Sequence, residues 1–176
     1  VRRRRHPQPQ RAPQERVRAL TGDQLGELID ATRCPACQNP ERPGCERCRF
    51  WQLLVSFLGS TGLRIGEAAA LQQSDIDFGR RRINVKRRYY RGGFAPPKST
   101  YGTRGVPIST TLAQALWQHC GSASPDTLAF ASTAGSPLDA ANAARRVLKP
   151  AAERIGQPWV SWHTQLAVND FESGDP

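Results

Sequence analysis

The chain has 176 residues, with 25 Lys or Arg against 15 Asp or Glu and a formal net charge of +10. That length supports one domain with a real core, and that charge points to a polyanionic partner, nucleic acid above all, over an acidic surface. No apolar run reaches the ~18 residues of a membrane helix, and Pro and Gln rather than an apolar region follow the Arg-rich start, so a cytoplasmic protein is the expectation. A solvated basic surface would give the same total, so distribution matters more. No Asp or Glu stands between Asp77 and Asp126, whereas Arg80, Arg81, Arg82, Lys86, Arg87, Arg88, Arg91, Lys98 and Arg104 do. Of these, Arg81, Arg82, Lys86, Arg87, Arg88, Arg91 and Arg104 are candidate nucleic-acid contacts.

Residues 1–20 are rich in Arg, Pro and Gln, with almost nothing to bury. They read as a basic disordered arm or linker. Thr21 opens a helix: with Gln24 it forms a capping-box pattern, and Leu25, Leu28 and Ile29 make an apolar stripe. Residues 33–49 carry two CxxC pairs, Cys34 with Cys37 and Cys45 with Cys48. Each pair offers two sulfurs from a tight turn, the set a tetrahedral structural zinc site uses. Four protein ligands would leave no open position for catalysis. Reduced free thiols, or disulfides in an oxidised chain, are the alternatives. Cys120 stands alone and reads as a core or surface thiol.

An apolar helix over Phe50–Leu58 comes next, broken by Ser60-Thr61-Gly62. A short second helix is expected over Leu63–Leu71, with Leu63, Ala68 and Leu71 inward. Arg64 and Glu67, three apart, share one face of it. An arginine at a helix start is opposed by the macrodipole. It is well placed to meet an anion that the free N–H groups there also attract. The plain alternative is a surface ion pair, which is worth little. Asp75–Gly79 reads as a turn. Ile83 and Val85 alternate with polar neighbours as in a strand, and Gly92-Gly93 and Pro96-Pro97 punctuate the chain beyond it. A further strand over Arg104–Ile108 contains Pro107, which argues for an edge position. Together these predict a small antiparallel sheet. Ser109 starts a helix with Leu112, Ala115 and Leu116 on one side. Asp139 caps another running toward Ile155, with Val147 and Leu148 inward and Pro150 kinking or dividing it.

The stretch TGLRIGEAAALQQSDID resembles the first signature of the tyrosine recombinases, the phage integrase family. On that resemblance Arg64 falls on the first catalytic arginine and Glu67 on the acid that supports it. RALTGDQLGELIDA is similar to the first helix of the family's catalytic domain, and Leu128-Ala129-Phe130 to its phenylalanine-containing loop. PPKSTYGTRGVPIS resembles the family's β-hairpin and places Lys98 on its lysine, a cation suited to protonating a leaving 5′ oxygen. VSWH resembles the start of the third signature and places His163 on its first histidine. The fold implied is α+β, mainly α: a tyrosine-recombinase-like catalytic domain over residues 21–163, with a small antiparallel sheet and the last helices missing.

After His163 the pattern breaks. Leu166 stands where the second arginine is expected, no tyrosine comes after it, and residues 164–176 form an acidic tail unlike the family. A frameshift or premature end near Thr164 would produce such a tail. In the family a tyrosine attacks a DNA phosphodiester, arginines and histidines stabilise the developing charge, and no cofactor is needed. The expectation is a chain that binds double-stranded DNA, with further copies of itself as partners on it, but does not cleave. Its zinc, if bound, is structural. The rival readings are a DNA-binding regulator or remnant, and a small zinc-dependent nucleic-acid-binding module.

Overall fold

The computed structural model describes residues 18–37, 44–97 and 103–162. Helix α1 (Gly22–Ala31) begins with the expected capping box. Thr21 Oγ1 accepts from the Gln24 N–H at 3.2 Å, and Gln24 Oε1 accepts from the Thr21 N–H at 3.0 Å. Two otherwise orphaned donors are thereby satisfied. Leu25 and Leu28 are buried, whereas Ile29 is only half-buried against the core. Leu20 is buried in the core as well. Its Arg- and Pro-rich neighbours hide that apolar contact from a reading by composition.

Helix α2 (Glu46–Thr61) buries Leu54, Val55, Phe57 and Leu58. It ends at Gly62, whose φ of 64° is left-handed and whose N–H reaches the Leu58 carbonyl at 3.0 Å. A side chain is disfavoured in that conformation, which is why glycine stands there. Helix α3 covers only Ile65–Ala68, shorter than the stretch expected from the sequence. The Leu71 N–H bonds back three residues to Ala68, and the Leu71 carbonyl turns to accept from Ala129. Leu63, Ala68 and Leu71 are nevertheless all buried, as the apolar pattern predicts.

The expected turn at Asp75–Gly79 is partly a strand. β1 (Ile76–Asp77) pairs antiparallel with β2 (Arg82–Val85), setting Ile76 opposite Ile83. β5 (Arg104–Pro107) pairs with the other side of β2, with Val106 opposite Ile83, so the order is β1-β2-β5. Pro107 lies on an edge strand, where its missing N–H does least harm. Between β2 and β5, β3 (Arg88–Tyr90) and β4 (Gly93–Ala95) form a separate two-stranded hairpin. Its Arg91-Gly92 loop has positive φ at both residues, as a type I′ turn requires.

Helix α4 (Thr110–Cys120) is capped by Ser109 and buries Leu112, Ala113, Leu116 and Cys120. Ala113 takes the inward place expected of Ala115, because it shares the face of Leu116 and Cys120. Asp139 caps α5 (Ala140–Ala143) through the Asn142 N–H at 3.0 Å. A π turn over Ala144–Leu148 comes next, and then α6 (Lys149–Arg154). Pro150 has no N–H to give the Arg146 carbonyl, and the wider turn just before it accommodates that loss. The helix is thus remodelled at Pro150 rather than broken. Phe57 and Phe130 meet in the core with ring centroids 5.0 Å apart. The architecture is α+β and mainly helical. Among the described residues, no helix is long and apolar enough to cross a membrane.

Candidate nucleic-acid interface and cysteine cluster

Gly62 turns the chain so that Arg64 becomes the N-cap of α3, in extended conformation. Its backbone N–H donates to Glu67 Oε2 at 3.0 Å. Its guanidinium, 70% exposed, stays 3.9 Å from Glu67 Oε1. Glu67 itself is buried, and its main partner is Arg104. Nη1 donates to Oε1 at 3.1 Å and Nη2 to Oε2 at 3.0 Å, a bidentate pair linking α3 to β5. Burial works to raise the Glu67 carboxyl. The Arg104 hydrogen bonds, the Arg64 N–H and the charges of both arginines outweigh it and hold the carboxyl below the ordinary range. Gly66 allows α3 to touch the hairpin: a Cβ there would sit 2.8 Å from the Tyr89 carbonyl oxygen.

Asp75 organises a second anionic centre, 1% exposed. It accepts from Arg87 Nη1 at 2.6 Å, from Lys86 Nζ at 3.0 Å and from the Gln72 N–H at 3.0 Å. Arg87 Nη1 also reaches the Ala70 carbonyl at 3.4 Å. The structure thus divides the basic run. Arg87 and Arg104 are turned onto buried carboxylates, and Lys86 is shared between Asp75 and solvent. Arg81, Arg82 and Arg91 are exposed, and Arg81 donates to Thr110 Oγ1 at 2.5 Å. Arg88 and Arg91 lie over the Tyr90 ring at 5.1 and 5.2 Å. Tyr90 and Phe94 are more than half exposed on the same hairpin. Reading by charge alone passes over these aromatics, although Arg88-Tyr89-Tyr90-Arg91 interleaves the two residue types in plain view. Lys98 and His163 lie outside the described residues. Trp162, which precedes His163 in sequence, is tied to the Ala140 carbonyl through Nε1 at 2.9 Å.

The sulfurs of Cys34, Cys37, Cys45 and Cys48 all lie within 4.8 Å of one another. None of the four is joined in a disulfide. The Cys34 N–H points to Cys48 Sγ at 3.1 Å and the Cys45 N–H to Cys37 Sγ at 3.4 Å. Burial pushes the Cys48 thiol up to about 12, while the Cys48 backbone N–H draws the exposed Cys45 down to about 7. The set has the donor chemistry of a metal centre. Cys120 is separate, buried in α4, and burial pushes its thiol up to about 11.

The profile of the phage integrase family matches residues 18–164. No curated protein matches the chain. Among solved structures, the XerA recombinase is 22% identical with a TM-score of 0.57, over 88% of this chain and 49% of that one. The Tn1549 transposon integrase in complex with transposon right end DNA is 18% identical with a TM-score of 0.61, over 87% and 52%. The same integrase with a circular intermediate DNA gives 20% and 0.60, over 86% and 51%. The chain therefore spans about half the length of the solved structures it resembles, and the likeness is one of fold.

Proposed function

This chain belongs to the phage integrase family, and from that premise we propose that it carries part of a DNA-recombining centre, with Arg64 as its phosphate-binding arginine. One observation carries the reading: Arg64 is an exposed guanidinium whose backbone is pinned at a helix N-terminus by a buried, ion-paired glutamate. The guanidinium itself, with one 3.9 Å contact to Glu67, is open to a phosphodiester, and stabilising the charge on the phosphoryl oxygens is the main task of such cations in phosphoryl transfer. Glu67 is a positioning residue. Lys98 and His163 join the site by their place in the family pattern, as proton donor to the leaving oxygen and as phosphate ligand. Arg81, Arg82, Lys86, Arg88 and Arg91 would track the backbone of double-stranded DNA. Tyr90 and Phe94 add apolar contact on the hairpin.

Residues 21–163 form the catalytic-domain portion in this reading, with a basic arm before it and a tail after it. Assembly of further copies on DNA, in the cytoplasm, belongs to the same proposal. Leu166 stands where the family pattern places its second arginine, which predicts weakened stabilisation of charge at the phosphate. The cysteine cluster stands outside the reaction and serves structure.

The test is equilibrium binding of duplex DNA by fluorescence anisotropy across a salt series. With about six phosphate contacts, from Arg64, Arg81, Arg82, Lys86, Arg88 and Arg91, the plot of log K against log salt should fall with a slope of roughly −5. Binding that ignores salt would sink the proposal.

A further inference from the structure

The cysteine cluster opens on a cleft of about 150 Å³ lined by Cys34 and Cys48 together with Arg33, Arg47, Arg146 and Arg154. Arg33 and Arg47 flank the connection between α1 and α2. Arg146 and Arg154 come from the other end of the described chain. Four arginines thus line one cleft beside two of the sulfurs, and a negative charge there would favour their company. Asp30 is 3.9 Å from Arg33 Nε, beyond hydrogen-bond reach, and Arg33 Nε is buried without a hydrogen-bond partner. Arg154 Nη1 meanwhile donates to the Ala31 carbonyl at 2.7 Å and the Arg33 carbonyl at 3.4 Å, the residues that lead into Cys34.

Neutral thiols or disulfides would add no negative charge beside these arginines. Four thiolates around a divalent cation carry a formal net charge of −2 and would answer them. Sulfur acceptors for the Cys34 and Cys45 N–H groups are also better as thiolates than as thiols. Sulfurs around zinc lie about 3.8 Å apart for Zn–S bonds near 2.3 Å, and these four already fall within 4.8 Å of one another. Thiolate sulfur and tetrahedral donors select zinc over the hard cations.

We propose that Cys34, Cys37, Cys45 and Cys48 bind one zinc ion as a tetrathiolate, and that its negative charge docks the Arg146–Arg154 segment onto the α1–α2 connection. Loading releases the thiol protons as the four Zn–S bonds form, with no change of oxidation state. The arginines act as outer partners of the ligands: they offset the charge of the centre, and Arg154 holds the backbone that presents Cys34. Zinc in this arrangement couples the first described helices to the last. It is separate from the DNA reading, and its test uses no DNA.

The full chain would be purified reduced and with zinc supplied. Metal content, hydrogen exchange before and after chelation, and cobalt substitution would then be measured. One zinc per chain is expected, with the visible absorption of a cobalt tetrathiolate on exchange of the metal. Chelation should raise amide exchange over residues 149–154 roughly 10-fold or more while β2 and β5 stay protected. Arg154→Ala should retain the site with roughly 10-fold weaker zinc affinity, whereas Cys48→Ser should lose tetrathiolate absorption. The wild-type cobalt spectrum keeps the test decisive if the cysteine variant does not fold. A chain that takes up no zinc, or binds it without a tetrathiolate spectrum, overturns the site. Unchanged exchange over 149–154 after chelation, or unchanged zinc affinity in Arg154→Ala, overturns the coupling.

Discussion

Arg104 grips both carboxylate oxygens of Glu67, at 3.1 and 3.0 Å, while Arg64 stays 3.9 Å away. The acid beside the first arginine is thus locked to a strand 37 residues later in the chain and touches Arg64 firmly only through its backbone N–H. Glu67→Gln keeps the shape but removes the charge that both guanidiniums face. Arg104 is about one-third exposed, so water recovers part of the loss, and a destabilisation of about 2 kcal/mol is expected. Urea unfolding of the two proteins measures it. An unchanged midpoint would mean the pair contributes nothing net.

The same carboxylate predicts a pH dependence. Its folded-state pKa lies below its ordinary 4.5. The unfolded chain therefore binds a proton there more readily than the folded one. Stability from Glu67 is fully present above about pH 5 and is lost as pH falls below 4.5 and through the folded value. The gap in unfolding midpoint between wild type and Glu67→Gln should be widest near neutrality and close in acid. A gap equally wide at about pH 3.5 and about pH 7 would place the effect in packing rather than charge.

The basic run divides into two kinds of residue that respond to different measurements. Arg87 sits 2.6 Å from buried Asp75, so Arg87→Ala leaves a buried carboxylate with Lys86 as its remaining charged partner and should cost about 2–3 kcal/mol. Arg81→Ala and Arg91→Ala remove exposed charge and should shift stability by less than about 0.5 kcal/mol. For DNA the order reverses: each of the latter should flatten the salt slope by about 1, and Arg87→Ala, compared where it is still folded, should not. If all three flatten the slope equally, Arg87 is not committed to Asp75 in solution.

Arg64→Ala joins the exposed group. Its side chain is 70% exposed and makes one long contact with Glu67, while the backbone bond to Glu67 survives the substitution. Thermal stability should hold within about 0.5 kcal/mol, and affinity for duplex DNA should fall with a slope flatter by about 1. Anisotropy titrations at two salt concentrations measure both the affinity and the slope. Unaltered affinity would remove Arg64 from the interface.

Local features were legible in the sequence because their causes are local. The Thr21–Gln24 box, the Gly62 stop and the two CxxC pairs each depend on residues within a few positions. The roles of Arg87 and Arg104 were not legible. Their partners lie 12 and 37 residues away, and an arginine that pairs with a buried acid is written with the same letter as one that meets solvent. Arg154, 121 residues from Arg33, shows the same limit at the cysteine cluster. The shortness of α3 was hidden for a related reason: Leu63, Ala68 and Leu71 are buried whether or not the helix continues, so the apolar pattern cannot mark its end.

Gly66 sits where α3 meets the hairpin, and its replacement tests whether that contact holds the basic strand in place. A Cβ there would lie 2.8 Å from the Tyr89 carbonyl oxygen, which is backbone. It cannot rotate away as a side chain would, so either α3 or β3 must shift. Gly66→Ala should therefore destabilise by about 1–3 kcal/mol, although alanine is the better helix former at an unhindered position. Because the shift separates Arg64 from the Arg88–Arg91 hairpin, DNA affinity should fall further than in Arg64→Ala, although no charge is removed. A Gly66→Ala protein as stable as wild type, with unaltered DNA affinity, would show that α3 and the hairpin are not held in contact.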